Sequence, residues 1–180
     1  AQSVGNCVSC HTPPLFTDFS FHNIGISQRE YDGVHGEGKF ADMQIPNAAT
    51  ARRPSAQLRE IPAIGKPNLV DLGFWNFVDL KTSALRHADE NDDHLLQRMT
   101  ATFKTPTLRN LKYSHPYFHD GSVATLDVVM SEMIRLSKLA RDGRVRNGDE
   151  ELARIRITEA EIAPLIAFMN SLNEEMKKGR

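Results

Sequence analysis

Cysteine is scarce in this chain of 180 residues: there are two, Cys7 and Cys10, and both lie in one short motif. Neither is left over for a disulfide framework, and a four-ligand zinc site would need two further soft ligands. No stretch approaches the roughly 18 consecutive apolar residues of a membrane helix, so we predict no membrane span. The net charge is only −1, which provides no field to attract nucleic acid or an anionic membrane.

The two cysteines belong to the sequence Cys7-Val8-Ser9-Cys10-His11. Two cysteines three apart with a histidine directly behind are the attachment signature of a c-type haem. On one helical turn both thiols face the same side and reach the two vinyl groups of a porphyrin, and His11 follows as the proximal iron ligand. A thioredoxin-type site is the weaker interpretation, because no buried strand precedes the motif.

The length of the chain fits one domain with a long excursion. Four prolines between Met43 and Asn68 argue against long regular structure there. We therefore predict a single domain over residues 1–180, with an ordered, loop-rich excursion at about 28–88.

Only six residues precede Cys7, too few for the helix that usually leads into such a motif, so we expect further sequence upstream. The chain has no signal peptide, which indicates a mature or excised polypeptide. Because thioethers to haem normally form outside the cytoplasm, we expect a periplasmic location.

Aromatic residues cluster in two places. Phe16, Phe19 and Phe21 alternate after Pro13-Pro14 and predict an extended run that packs on a haem face or fills the core. His22, among them, is interpreted as a hydrogen-bonded structural histidine rather than a ligand. Trp75, the only tryptophan, lies in an apolar run and is interpreted as core, with electron transfer as the alternative.

Four helices are predicted. The first runs from Ala88 to Thr102, and a short one is capped by Thr105 with Pro106 at its first position. The third follows Thr125 and ends near Ala140, before Asp142-Gly143. Thr158 and Glu161 form a capping box that opens the last. The inner faces are Leu95, Leu96 and Met99; Leu108 and Leu111; Val129, Met133, Leu136 and Ala140; and Ile162, Leu165, Ile166, Met169 and Leu172.

Three segments, 105–110 (Thr-Pro-Thr-Leu-Arg-Asn), 116–121 (Pro-Tyr-Phe-His-Asp-Gly) and 124–126 (Ala-Thr-Leu), resemble the C-terminal haem domain of bacterial dihaem cytochrome c peroxidases and their MauG-type relatives. The resemblance implies a mainly α fold of the cytochrome c type with long ordered loops. It also implies a two-domain parent, in which an N-terminal haem reacts with peroxide and the C-terminal haem, with His/Met ligation, receives electrons from a small donor. This chain matches only the second domain.

The sixth iron ligand is open among six methionines on chemical grounds, since any thioether paired with His11 raises the haem potential. The resemblance selects Met133, fourteen residues after His119. Met130, one turn earlier, is the obvious alternative ligand. The other alternative is that Met133 only fills the apolar stripe of its helix and does not bind iron. MauG-type relatives have tyrosine at this position. Arg109 and His119 are expected near the haem edge or the domain boundary, tuning it without binding iron.

The resemblance also implies a calcium ion at the domain boundary, held in part by the backbone carbonyls of Ser114 and Pro116. The remaining side-chain ligand comes from the other domain, so the site within this chain is incomplete.

Two functions of different class follow. The first is an electron-transfer haem domain that passes electrons from a small donor protein, of the cytochrome c or cupredoxin type, to a peroxide-reactive haem in a second domain or chain. The second is a self-sufficient one-haem peroxidase or MauG-like oxidase. A ligand sensor would need an open iron site and has no specific support. A methionine sixth ligand favours the relay.

Overall fold

The structure is a computed structural model and describes residues 5–49 and 69–175. Helix dominates, which confirms the prediction of a mainly α, cytochrome c-like fold. In chain order the elements are β1 (Phe21–His22), α1 (Ile26–His35), α2 (Lys39–Asp42), α3 (Asp92–Met99), β2 (Phe103–Lys104), α4 (Leu126–Arg141), α5 (Glu150–Arg154) and α6 (Ile162–Ser171), with 3-10 helices at Cys7–Ser9, Phe74–Phe77, Leu111–Tyr113 and Glu159–Glu161.

These elements form two compact units. The motif unit takes its described residues from Ala1–Ser20, Thr105–Arg141 and Glu150–Arg180, and the tryptophan unit from Phe21–Lys104 and Asp142–Asp149. The prediction of a single domain over residues 1–180 stays a prediction. Within the described residues, no helix has the length and apolar character that a bilayer crossing requires.

In the motif unit, α4 packs on α5 and α6. It begins as predicted after Thr125, whose hydroxyl accepts a hydrogen bond from the Val128 amide at 3.5 Å, and it ends at Arg141. Its buried side chains are Met130, Leu136 and Ser137. Of the predicted stripe only Leu136 is fully buried; the other three members are half-buried.

The capping box predicted at the start of the last helix is confirmed. The Glu161 carboxylate accepts hydrogen bonds from both the amide and the hydroxyl of Thr158, each at 2.8 Å. A 3-10 turn, Glu159–Glu161, therefore precedes α6. Met169 is buried on α6, and the other predicted inner residues, Ile162, Leu165, Ile166 and Leu172, are half-buried.

The helix predicted from Thr105 does not form, and the prediction was wrong. Residues 105–109 instead lie alongside residues 14–20 and form hydrogen bonds with them. Thr105 N donates to Ser20 O at 2.9 Å, and Thr17 Oγ1 donates to Thr105 O at 2.8 Å. The first regular structure after Thr105 in the motif unit is the 3-10 helix Leu111–Tyr113, which buries Leu111.

The extended run predicted for Phe16, Phe19 and Phe21 was also wrong. Phe16 and Phe19 have φ values of 53° and 59°, in the left-handed region that a bulky residue rarely adopts. Residues 13–16 therefore turn rather than extend, and only Phe21 lies in a strand, where β1 pairs antiparallel with β2.

The tryptophan unit is built on a core of nine buried apolar residues: Phe40, Val70, Leu72, Trp75, Val78, Leu95, Leu96, Met99 and Ala101. Trp75 is fully buried, as the core interpretation predicted. His22 Nδ1 lies 2.5 Å from Asp149 Oδ2, so this histidine is hydrogen-bonded, also as predicted.

Residues 31–33 lie inside α1, and the Asp32 carboxylate accepts hydrogen bonds from the amides of Gly38 and Phe40. One helix boundary in this unit differs from the prediction. The helix predicted from Ala88 begins only at Asp92, capped by Asn91. Glu90 is excluded from it because its carboxylate binds Arg98 and the His87 amide. Residues 43–49 form no helix or strand, most of α1 and all of α2 lie within the predicted excursion, and 50–68 lie outside the described residues, so the loop-rich excursion at about 28–88 stays a prediction.

Candidate functional site

The cysteine motif forms a tight turn. Cys7–Ser9 is a 3-10 helix, and the amides of Cys10 and His11 both donate to Cys7 O, at 3.3 and 2.8 Å. Both cysteines are half-buried and neither forms a disulfide. Burial raises the pKa of the Cys7 thiol, and the neighbouring Cys10 adds to the effect. A thiol that stays protonated near neutral pH is poorly suited to thiol–disulfide exchange.

The motif is anchored to α5 by the residue before it. Asn6 has a left-handed backbone (φ 47°), and its amide group donates to Glu151 Oε2 at 2.7 Å and to Glu151 O at 3.2 Å. Gly5 allows the close approach that follows, since a Cβ there would lie 3.1 Å from Cys7 Sγ. The entry into the motif is thus held by a residue far away in the sequence.

The His11 ring is oriented by a backbone carbonyl. His11 Nδ1 lies 3.0 Å from Phe16 O, and because a carbonyl oxygen can only accept, the hydrogen sits on Nδ1. Nε2 is then the unprotonated nitrogen, the one that can bind a metal. This is the tautomer that a proximal haem ligand requires.

Phe16 itself is held by two side chains. The Phe168 ring of α6 meets it edge-on with 5.8 Å between centroids, and the Arg109 guanidinium lies 5.7 Å from its centroid. Arg109 also donates from Nε to Pro14 O at 3.0 Å and pairs with Glu174 at 3.4 Å. Arg109 therefore lies at the turn that follows the motif; its tuning role stays a prediction.

Met133 projects from the middle of α4 and is half-buried, whereas Met130 is 6% exposed. α4 packs on α5, which binds Asn6, and on α6, which contacts Phe16. The motif and α4 thus share the same two neighbouring helices. Met43 and Met99 belong to the tryptophan unit, and Met176 lies outside the described residues. Ligation by Met133 stays a prediction.

The loop before α4 contains the other predicted residues. Ser114, Pro116 and His119 are all exposed. Calcium takes 6–8 oxygen ligands, and the two carbonyls assigned to it supply only a small part of that set. The calcium site therefore stays an incomplete prediction, as does the supporting role of His119.

The motif unit also exposes apolar side chains, which suits a large apolar group such as a porphyrin. Its exposed large apolar residues are Val8, Leu15, Phe19, Tyr113, Val128 and Phe168. Two thiols on one turn and an imidazole with an unprotonated Nε2 fit a covalently attached haem, and the exposed apolar side chains of the same unit agree with such an apolar group.

Sequence reasoning missed three participants. Glu151 and Phe168 carried no local signal, because their partners Asn6 and Phe16 are about 150 residues away. Thr107 lay in a segment already recognised as a family motif but assigned to a helix.

Comparison with curated proteins finds relatives over almost the whole chain. Cytochrome-c peroxidase IdrP2 of Denitromonas iodatirespirans is 28% identical over 173 residues, which is 95% of this chain and 37% of that protein. The methylamine utilization protein MauG of Methylophilus methylotrophus is 27% identical over 176 residues, 96% of this chain and 33% of that protein. Over almost its whole length the chain is therefore similar to cytochrome-c peroxidases and MauG proteins.

A third relative, the cytochrome c551 peroxidase of Nitrosomonas europaea, is 28% identical over 111 residues, 62% of this chain and 28% of its own length. The chain spans about a third of the length of these relatives. No protein-family model and no solved structure matches it.

Proposed function

We propose that this chain is a c-type haem electron-transfer domain of a peroxidase-family oxidoreductase. It accepts electrons from a small donor protein, of the cytochrome c or cupredoxin type, and passes them to a peroxide-reactive haem in a second domain or chain. Its place is the periplasm, where haem thioethers form. Similarity to cytochrome c peroxidases and MauG supports the coarser part of this proposal, a haem oxidoreductase.

The observation that carries the proposal is that His11 and the methionine-bearing helix α4 lie in one compact unit. Cys7 and Cys10 would hold one haem covalently, His11 Nε2 would bind the iron and Met133 would bind opposite. A haem held this way supplies a one-electron couple, and a thioether ligand raises its potential.

A relay is favoured over peroxide chemistry because of where Met133 lies. Two buried side chains of the same helix, Met130 and Leu136, hold it in place; they are 6% and 2% exposed. The Met133 thioether would therefore not easily leave the iron. Peroxide cleavage needs an open coordination position and a nearby acid–base group. His115 and His119 could serve as bases, so coordination decides between the two functions.

The second candidate, a self-sufficient peroxidase or MauG-like oxidase, has one observation in its favour: the chain is as similar to MauG as to the peroxidases. The methionine at position 133 opposes it, because the family resemblance associates MauG-type proteins with tyrosine there.

The ligand assignment is tested on the haem-loaded chain with the variants Met133→Ala and Met130→Ala. Met133→Ala should abolish the near-infrared sulfur-to-iron band and lower the midpoint potential, since the thioether donor is lost. Met130→Ala, the matched control one turn away, should keep the band. The reverse pattern would assign Met130 as the ligand.

The relay itself is tested by adding peroxide and donor to the same chain. We expect fast acceptance and return of one electron, and almost no change in the visible spectrum of the ferric form with stoichiometric peroxide. A rapid spectral change with sustained donor oxidation would replace the relay by the one-haem peroxidase. A haem count on the natural full-length polypeptide would identify the second haem.

A further inference from the structure

Residues 107–109 donate hydrogen bonds to three consecutive carbonyls of the turn that follows the cysteine motif. The bonds run from Thr107 Oγ1 to Leu15 O at 2.5 Å, from Leu108 N to Phe16 O at 3.3 Å and from Arg109 Nε to Pro14 O at 3.0 Å. The Thr107 hydroxyl also accepts from the Arg109 amide at 3.1 Å, which ties the two side-chain donors together. We call residues 107–109 the clamp and residues 14–16 the clamped turn.

The clamped turn needs such support. Phe16 has a φ of 53°, a conformation that costs energy for a bulky residue and persists only where the surroundings impose it. Proline at position 14 cannot donate a backbone hydrogen bond. The carbonyls of residues 14–16 are backbone groups through which the rest of the unit holds the turn, beside the contacts of the Phe16 ring, and the clamp binds all three carbonyls.

The clamp and His11, the proposed iron ligand, both donate a hydrogen bond to the same carbonyl oxygen. Phe16 O accepts from His11 Nδ1 at 3.0 Å and from the Leu108 amide at 3.3 Å. A carbonyl has two lone pairs and can accept both. The position of this oxygen, and hence the strength of the bond to His11, depends on where the clamp holds the turn.

We propose that Thr107 and Arg109 are positioning residues for the axial imidazole of the haem, which rests on the haem site of the proposed function. Through the clamped turn they hold Phe16 O against Nδ1 of His11. A strong bond at Nδ1 makes Nε2 more basic, which favours ferric iron and lowers the potential. Loss of either donor lets the turn move away, weakens the bond and raises the potential.

The test uses the haem-loaded chain with Thr107→Val and Thr107→Ser. Valine keeps the shape of threonine and removes the hydroxyl, whereas serine restores it. Thr107 is exposed, so neither change should prevent folding. Thr107→Val should raise the midpoint potential and speed solvent exchange of the His11 Nδ1 hydrogen, measured by NMR on the ferrous protein. Thr107→Ser should restore both values to those of the wild type.

Two further variants separate positioning from other effects. Arg109→Lys keeps the positive charge but loses the Nε donor, and should shift the potential upward as Thr107→Val does. Thr158→Val removes the capping box of the same unit; it should lower the unfolding temperature and leave the potential and the exchange rate unchanged.

The proposal is overturned if Thr107→Val leaves both readouts at wild-type values, or if Thr158→Val moves them as much as Thr107→Val does. Failure of the proposed function looks different, since the wild type itself would then lack the low-spin His/Met spectrum. With that spectrum intact, an unchanged potential counts against the clamp alone.

Discussion

The two units differ in where their apolar side chains go. The tryptophan unit buries nine of them in one cluster around Trp75, while six of the seven exposed large apolar residues among those described belong to the motif unit. The motif unit also buries apolar side chains of its own, Leu136 and Val123 among them, but it leaves six large ones exposed. We infer that a bound haem adds to the stability of this unit.

The largest expected effect comes from preventing haem attachment. In the variant Cys7→Ala/Cys10→Ala, amide hydrogen exchange should show loss of protection across the motif unit, because a group bound only by the folded state stabilises it. The tryptophan unit should keep its protection, at α3 above all. Equal loss in both units would show that the comparison is wrong and that the chain folds as one cooperative block.

The next prediction concerns the core of the tryptophan unit, from which one large side chain is removed. Trp75→Ala should cost about 3–5 kcal/mol of that unit's unfolding free energy, since it removes a fully buried aromatic side chain. Denaturant unfolding of the haem-loaded chain measures it. Trp75→Phe, which leaves less of the cavity open, should cost clearly less. A lower haem potential or slower electron transfer in Trp75→Phe, with stability kept, would instead support a redox role for the tryptophan.

Acid should weaken the tryptophan unit through Glu90. Hydrogen bonds from Arg98, and then from the His87 amide, lower the pKa of this carboxyl from 4.5 to about 2, and its side chain is only 8% exposed. Because the folded pKa lies below the unfolded one, the contribution is present above pH 4.5 and is lost as the pH falls toward 2. We expect it to be roughly 2–3 kcal/mol.

Glu90→Gln should therefore reduce the loss of unfolding free energy between pH 4.5 and about pH 2. Urea unfolding at each pH measures this loss. Glu161→Gln is the comparison variant in the motif unit. Hydrogen bonds from the Thr158 amide and hydroxyl lower the pKa of that carboxyl as well, so its effect should appear in the motif unit and leave the acid-dependent decline of the tryptophan unit unchanged. If Glu90→Gln keeps the full acid-dependent decline, the ion pair with Arg98 is not its source.

The smallest effect concerns the capping box. Thr158→Val should lower the stability of the motif unit by about 1 kcal/mol, as loss of a helix cap does. The change should appear as faster amide exchange in α6 and not in α3. Its Thr158→Ser counterpart, which keeps the hydroxyl, should exchange like the wild type.

Features that depend on neighbouring residues were predictable. The Cys7-to-His11 spacing, the start of α4 at Thr125 and the capping box all involve groups within a few residues of one another, so their geometry follows from local backbone rules. The burial of Trp75 followed from its apolar surroundings. Helix ends were predicted less well, as at Asn91, because Glu90 binds a side chain eight residues away.

The sequence by itself supplied the groups of the candidate site, two thiols and an imidazole at haem spacing, together with a family resemblance and several of the helices. The tertiary structure decided how those groups are held. Thr105 and Pro106 are residues that commonly begin a helix, and a helix was predicted there. In the folded chain, Thr107 and Arg109 instead donate hydrogen bonds to carbonyls more than ninety residues earlier in the sequence. Only the folded chain brings these partners together, because bonds across such separations form when the surrounding packing has already closed the loop between them.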